Sequence, residues 1–124
     1  MKLLSIAVPC YNSEDYMRHC IETLLPGGED VEIIIVDDGS TDKTAEIADK
    51  YREQYPDIVK VVHKENGGHG SGVNKGLELA TGMYFKVVDS DDWLDTNSYK
   101  KLINKIFFNA IWLTFLLTCA IDIV

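Results

Sequence analysis

Basic residues are few: 12 Lys+Arg stand against 20 Asp+Glu in 124 residues, a formal net charge of −8 with histidines neutral. That balance excludes nucleic acid as the expected partner, because a phosphate backbone needs a basic surface. It suits a partner carrying cations, such as a divalent metal. Cysteine is also sparse. Cys10, Cys20 and Cys119 are odd in number and form no C-x-x-C pair. Neither a disulfide framework nor a zinc site follows, a reducing cytosol is the simpler setting, and the three read as small buried hydrophobes. Long apolar runs are missing at the N-terminus, where Leu3–Val8 is too short for the ~7–15-residue core of a signal peptide and no A-x-A-like site follows. A buried first strand is expected there. The uncharged stretch from Ile106 to Ile121 falls short of the ~20 residues that span a bilayer, and Asp122 closes it.

What is present fits one globular domain, since 46% hydrophobic and 26% charged residues exclude disorder and collagen-like repeats. The division expected is an α/β domain over 1–105 and an apolar tail over 106–124. Strands are expected at Leu3–Val8, Val31–Val36, Val59–His63 and Met83–Val88, each a short apolar or β-branched run. Between them lie a helix capped by Asn12 or Ser13 and stopped at Pro26-Gly27-Gly28, and a polar helix over about Lys43–Gln54. A third helix carries Val73, Leu77 and Ala80 on one face, and a fourth begins near Asn97. Strict alternation implies a Rossmann-like, mostly parallel sheet with helices on both faces. In such sheets ligands bind beyond the carboxyl ends of the strands.

Those ends are polar and acidic: Pro9-Cys10-Tyr11-Asn12, Asp37-Asp38-Gly39 and Asp89-Ser90-Asp91-Asp92. Three carboxylates within four residues repel one another unless a hard cation, Mg²⁺ or Mn²⁺, neutralises them and bridges to phosphates. The plainer alternative is a solvated acidic turn with Asp92 or Asp95 capping the next helix. A carboxylate at Asp37-Asp38 can accept hydrogen bonds from a ribose hydroxyl or a base N–H, or serve only an Asx turn. The segment Glu65–Gly72 is rich in glycine. Val73 stands where a P-loop needs Lys and where a dinucleotide fingerprint needs its last Gly, so neither pattern applies. It reads as a connector or as a place where the chain passes close to a ligand, with His69 as a loop residue rather than a metal ligand or base.

Together, Ser5–Asn12, Val31–Asp42, Asn66–Gly82 and Val87–Asp92 resemble, in order, the amino-terminal part of a family 2 glycosyltransferase of the GT-A type, over roughly residues 3–104. The resemblance implies transfer of a sugar from a nucleotide-sugar donor, often a UDP-sugar, to a hydroxyl on a glycan or lipid-linked acceptor in polysaccharide or cell-envelope glycan synthesis. By that analogy Pro9, Tyr11 and Asp38 contact uracil and ribose, and Lys75 is a donor-side contact. Asp91 leads the metal ligands, Asp92 is a second, and Asp89 lies toward the ribose; Val87–Asp92 is the D-x-D signature. Family members continue for roughly another hundred residues that supply the acceptor side and the base, and no base is evident over 93–124. The chain is therefore expected to carry the donor half, truncated or split, and to be cytoplasmic. The tail is expected to bury against the sheet flank, pair chains or touch the inner face of a membrane. The competing readings are a nucleotide-sugar-binding fragment without turnover and a receiver-like phosphoacceptor domain.

Overall fold

The computed structural model describes the backbone of residues 1–122 and the side chains of residues 1–118; the side chain of Cys119 lies outside the described residues. Four strands, β1 (Leu4–Cys10), β2 (Val31–Asp38), β3 (Val59–Lys64) and β4 (Tyr84–Val87), form one parallel sheet in the order β3-β2-β1-β4. Helices α1 (Met17–Leu24), α2 (Thr44–Gln54), α3 (His69–Leu79) and α4 (Thr96–Asp122) alternate with them. Strands β1 and β2 are buried along their whole length. That is the burial their unbroken apolar runs imply, because a central parallel strand has no solvent face.

Alternate residues of β1 and β2 serve different layers. Ile6, Val8, Ile33 and Ile35 join Met17, Ile21, Leu24, Ile47 and Tyr51 in one core, which Tyr99 and Ile106 of α4 complete. Tyr99 also donates to the Leu24 carbonyl at 2.8 Å. The opposite face carries α3, over β1 and β2. The contact there is made by glycine: a Cβ on Gly76 would stand 2.5 Å from Ala7 Cβ, and one on Gly72 3.1 Å from Pro9 Cβ. The expected face of Val73, Leu77 and Ala80 is corrected accordingly; Leu77 is exposed. Small residues let the helix backbone lie close enough for its N-terminus to reach the strand ends. The expectation of helices on both faces holds for β1 and β2, while β4 keeps Tyr84 and Lys86 exposed.

Two local expectations change. Neither Asn12 nor Ser13 caps α1 with its side chain. Asn12, at φ +48°, instead accepts from the Thr41 N–H at 2.9 Å, and Ser13 Oγ bonds Ser90 Oγ at 2.8 Å. Helix α1 does end before Pro26-Gly27-Gly28, as expected; a 3₁₀ stretch over Leu25–Asp30, broken by Gly28 at φ +66°, leads on to β2. The second half of the glycine-rich segment, His69–Gly72, is the first turn of α3 rather than loop.

Helix α4 runs through Lys105 without a break. Thr96–Thr118 is long and apolar enough to cross a membrane by length and composition, which the uncharged stretch alone was not. Its first half is nevertheless tied into the core by Tyr99 and Ile106. Beyond Ile106 the apolar side chains are largely outside, Phe108 and Trp112 at 71% and 63% exposure. Phe107, Ala110, Ile111, Thr114, Phe115 and Thr118 line a groove of about 440 Å³ with Met1, Leu3 and Met83. The helix thus lies along the sheet flank without being buried by it.

Candidate donor site at the carboxyl edge of the sheet

The strand order reverses between β1 and β4, so a crevice opens beyond their carboxyl ends, the usual ligand position in an open α/β sheet. A cavity of about 300 Å³ lies at this edge, lined by Pro9, Cys10, Tyr11, Asp38, Asn66, Gly68 and His69. Three sequence-predicted residues, Pro9, Tyr11 and Asp38, therefore meet in one wall. Tyr11 is half-exposed and offers a ring face to an entering group.

Asp38 is nearly fully buried. Its Oδ1 accepts from Lys64 Nζ at 2.6 Å and from the Gly67 N–H at 2.9 Å, and its Oδ2 accepts from the Gly68 N–H at 2.9 Å. Burial works to raise its pKa, but the Lys64 ammonium and the two backbone donors outweigh it and hold the carboxyl below its usual range. The carboxylate therefore fastens the Asn66–Gly68 segment to the tip of β2. Gly39 beside it, at φ +74°, is required twice: its backbone is left-handed, and a Cβ would stand 2.8 Å from the Asn66 nitrogen.

Asp37 faces the other side of the sheet. Its Oδ1 accepts from the Ser40 N–H at 3.1 Å, and its Oδ2 lies 2.9 Å from His63 Nδ1. The other ring nitrogen of His63 is 3.0 Å from Asp49. The hydrogen bond to Asp37 is the largest influence on His63 and raises its pKa; burial opposes and Asp49 assists. Asp37 is thus structural, and Asp38 alone of the pair reaches the cavity.

The acidic turn after β4 brings Asp89, Asp91 and Asp92 together, with one carboxylate oxygen from each within 4.8 Å of the others. Oxygen donors at that spacing on exposed side chains suit a hard divalent cation that keeps part of its water shell. The turn is pinned from below: the Asp92 N–H donates to the Asp89 carbonyl at 2.9 Å, and Ser90 is buried against Ser13. Asp95, not Asp92, caps α4, accepting from the Ser98 N–H at 2.9 Å. Cys20 lies beneath the turn; burial, then Asp92, Asp89 and Asp91, push its thiol up to about 12. Burial, chiefly, pushes Cys10 to about 12 as well. Both are unreactive buried thiols, as expected.

Lys75 is not brought to the cavity. It lies on α3 with its ammonium 3.1 Å from both oxygens of Glu78. His69, read from the sequence as a loop residue, is part of the site: it lines the cavity, and its Nε2 stands 2.6 Å from Asp89 Oδ1.

The sequence pattern of the family described as Glycosyl transferase family 2 matches residues 5–114. This chain belongs to glycosyl transferase family 2. Among family members, the uncharacterized glycosyltransferase YibD of Escherichia coli K12 is 43% identical over 101 residues, which are 81% of this chain and 29% of YibD. The crystal structure of S. aureus TarS 1–349 in complex with UDP superposes with a TM-score of 0.70 at 37% identity, covering 82% of this chain and 31% of that one. The fold, at 24% identity and a TM-score of 0.69, also matches a Pyrobaculum calidifontis mannosyltransferase solved with GDP-Man and Mn²⁺, over 77% of this chain and 30% of the other. The GT-A architecture expected from the sequence is the one present. The chain spans less than a third of the length of each of these three proteins. Membership of this family also removes the receiver-like reading.

Proposed function

We propose that this chain is the donor-binding part of a glycosyltransferase, holding a nucleotide-sugar, a UDP-sugar first among candidates, with Mn²⁺ or Mg²⁺. The sugar would pass to a hydroxyl of a glycan or lipid-linked acceptor in cell-envelope or polysaccharide synthesis on the cytoplasmic side. The observation that carries this reading is the juxtaposition at the carboxyl edge. One wall holds an aromatic ring and a buried carboxylate, and a single side chain, His69, spans from it to the acidic turn. A nucleoside at one end and a charged diphosphate at the other fit that arrangement. The UDP complex of TarS supports the choice of nucleotide.

Each residue then has a defined task. Pro9 and Tyr11 flank the nucleobase, with Tyr11 offering its ring for stacking. Asp38 Oδ2 receives one hydrogen bond from the protein and keeps acceptor capacity for a nucleoside donor. Asp89 lies toward the ribose, and Asp91 and Asp92 hold the metal. The cation, when bound, supplies positive charge against the diphosphate and the departing nucleotide. Lys75 serves the donor only if a ligand draws it from Glu78. Asp95 is committed to capping α4, so it is not the base for the acceptor hydroxyl.

Asp38→Ala should weaken UDP by at least ~10-fold, equivalent to about 1.4 kcal/mol, and free Mn²⁺ much less, measured by calorimetry. Parallel losses would move Asp38 into the metal shell. UDP binding with Mn²⁺ but without sugar transfer would mark a donor-binding unit lacking turnover.

The exposed half of α4 is assigned in the same reading to contact with a second copy of the chain, a lipid surface being the alternative. Each Leu- or Phe-sized side chain removed from water contributes roughly 1.5–3 kcal/mol, so a few suffice to offset the entropy of association. Light scattering is expected to show dimers or larger species that dissociate in the Phe108→Glu, Trp112→Glu double variant. A monomer in both proteins would leave the face without a self-association role, and vesicle co-sedimentation would then test the lipid alternative.

A further inference from the structure

Resting on the donor-site reading, we infer that Asp89, besides lying toward the ribose, joins Asp91 and Asp92 in holding the cation through its Oδ2, and that His69 is the positioning residue that orients it by hydrogen bonding Oδ1. Three features lead there. A carboxylate accepts only, so the 2.6 Å contact requires the hydrogen on His69 Nε2, donated to Asp89 Oδ1. Asp89 Oδ2 stays available to a cation or to a ribose hydroxyl.

The ring is carried by a fixed backbone. His69 is the first residue of α3, directly after Gly67 and Gly68, whose N–H groups are held by Asp38. The first turn of α3 is seated on Pro9 through Gly72. The backbone that carries the ring is thus anchored at Asp38 and at Pro9.

Asp89 also lacks a competing side-chain donor: among the described residues His69 is its only side-chain partner, while Asp91 and Asp92 have no side-chain hydrogen bond. Hydrogen bonds to ligating groups from the surrounding shell restrict their rotation, and losing one typically weakens metal binding ~10–100-fold. The residue pair is separated by 20 positions in the chain, so the coupling belongs to the fold rather than to the acidic motif.

The test is titration of the whole chain with Mn²⁺ alone, followed by electron paramagnetic resonance of free Mn²⁺. His69→Ala should weaken Mn²⁺ by roughly 10-fold with an unchanged melting temperature, since the side chain is 64% exposed. His69→Gln, which places an amide nitrogen near the Nε2 position, should restore most of the affinity. Unchanged Mn²⁺ affinity in His69→Ala overturns the inference, as does an equal loss in the Gln variant. Those outcomes differ from failure of the donor-site reading, in which the unaltered chain binds no Mn²⁺ at all.

Discussion

Asp91→Asn is expected to lower UDP affinity in the presence of Mn²⁺ by at least ~100-fold, about 2.7 kcal/mol, and to leave stability within about 0.5 kcal/mol. The two halves of that expectation have separate causes. Asp91 is exposed and its carboxylate has no hydrogen-bond partner among the described residues, so the fold does not depend on it. Its proposed work is entirely toward the cation. An amide keeps the shape but removes the negative charge that a hard metal needs, and with it the bridge to the diphosphate. Calorimetric titration with UDP and Mn²⁺ measures the effect. Unchanged affinity would take Asp91 out of the site, whereas a fall in melting temperature would mean the acidic turn also holds the sheet edge.

The largest effect on stability is expected far from that site, at Glu32→Ala, a loss of about 3 kcal/mol in urea unfolding. Glu32 is fully buried near the start of β2, opposite the site edge. Its Oε1 accepts from Ser5 Oγ at 2.6 Å and from the Thr81 N–H and hydroxyl at 2.5 and 3.0 Å. Its Oε2 is paired with Lys60 at 2.5 Å. Ser5 in turn accepts from the Gly82 N–H at 2.8 Å, so one carboxylate organises the turn between α3 and β4. Alanine would leave the fully buried Ser5 hydroxyl without its acceptor and the turn without its anchor.

Burial works to raise the Glu32 pKa, but Lys60, Ser5 and Thr81 outweigh it and bring it down to about 2. A lowered carboxylate pKa stabilises the fold above the unfolded value, near 4.5, and that contribution is lost as pH falls from about 5 toward 2. The stability of the unaltered chain should therefore fall over that window, and more steeply than that of Glu32→Gln. Equal slopes would show that Asp38 and Asp42, also held below their usual range, carry the acid sensitivity instead.

What was legible in the sequence follows the range of the forces involved. Strands β1 and β2 are visible because burial on both faces leaves an unbroken apolar run. The acidic strand ends are visible because the polar break is local. The α1 cap was misread because Asn12 and Ser13 use their side chains on Thr41 and Ser90, partners 29 and 77 residues away. The packing face of α3 was misread because it is built from absent side chains, Gly72 and Gly76, which carry no hydrophobic signal. Glu32 and His69 were missed because their partners are distant in the chain. Their partners Thr81 and Asp89 lie 49 and 20 residues on, and nothing within either segment announces them. The glycines at 67 and 68 hinted at a close approach, but the approaching group is the protein's own Asp38.

The most direct test of the donor-site assignment is calorimetry of the unaltered chain with UDP, with and without Mn²⁺. Binding that requires Mn²⁺ is the expected result, because the diphosphate meets three carboxylates unless a cation stands between them. UDP binding of equal strength in excess chelator, or none under either condition, would contradict it.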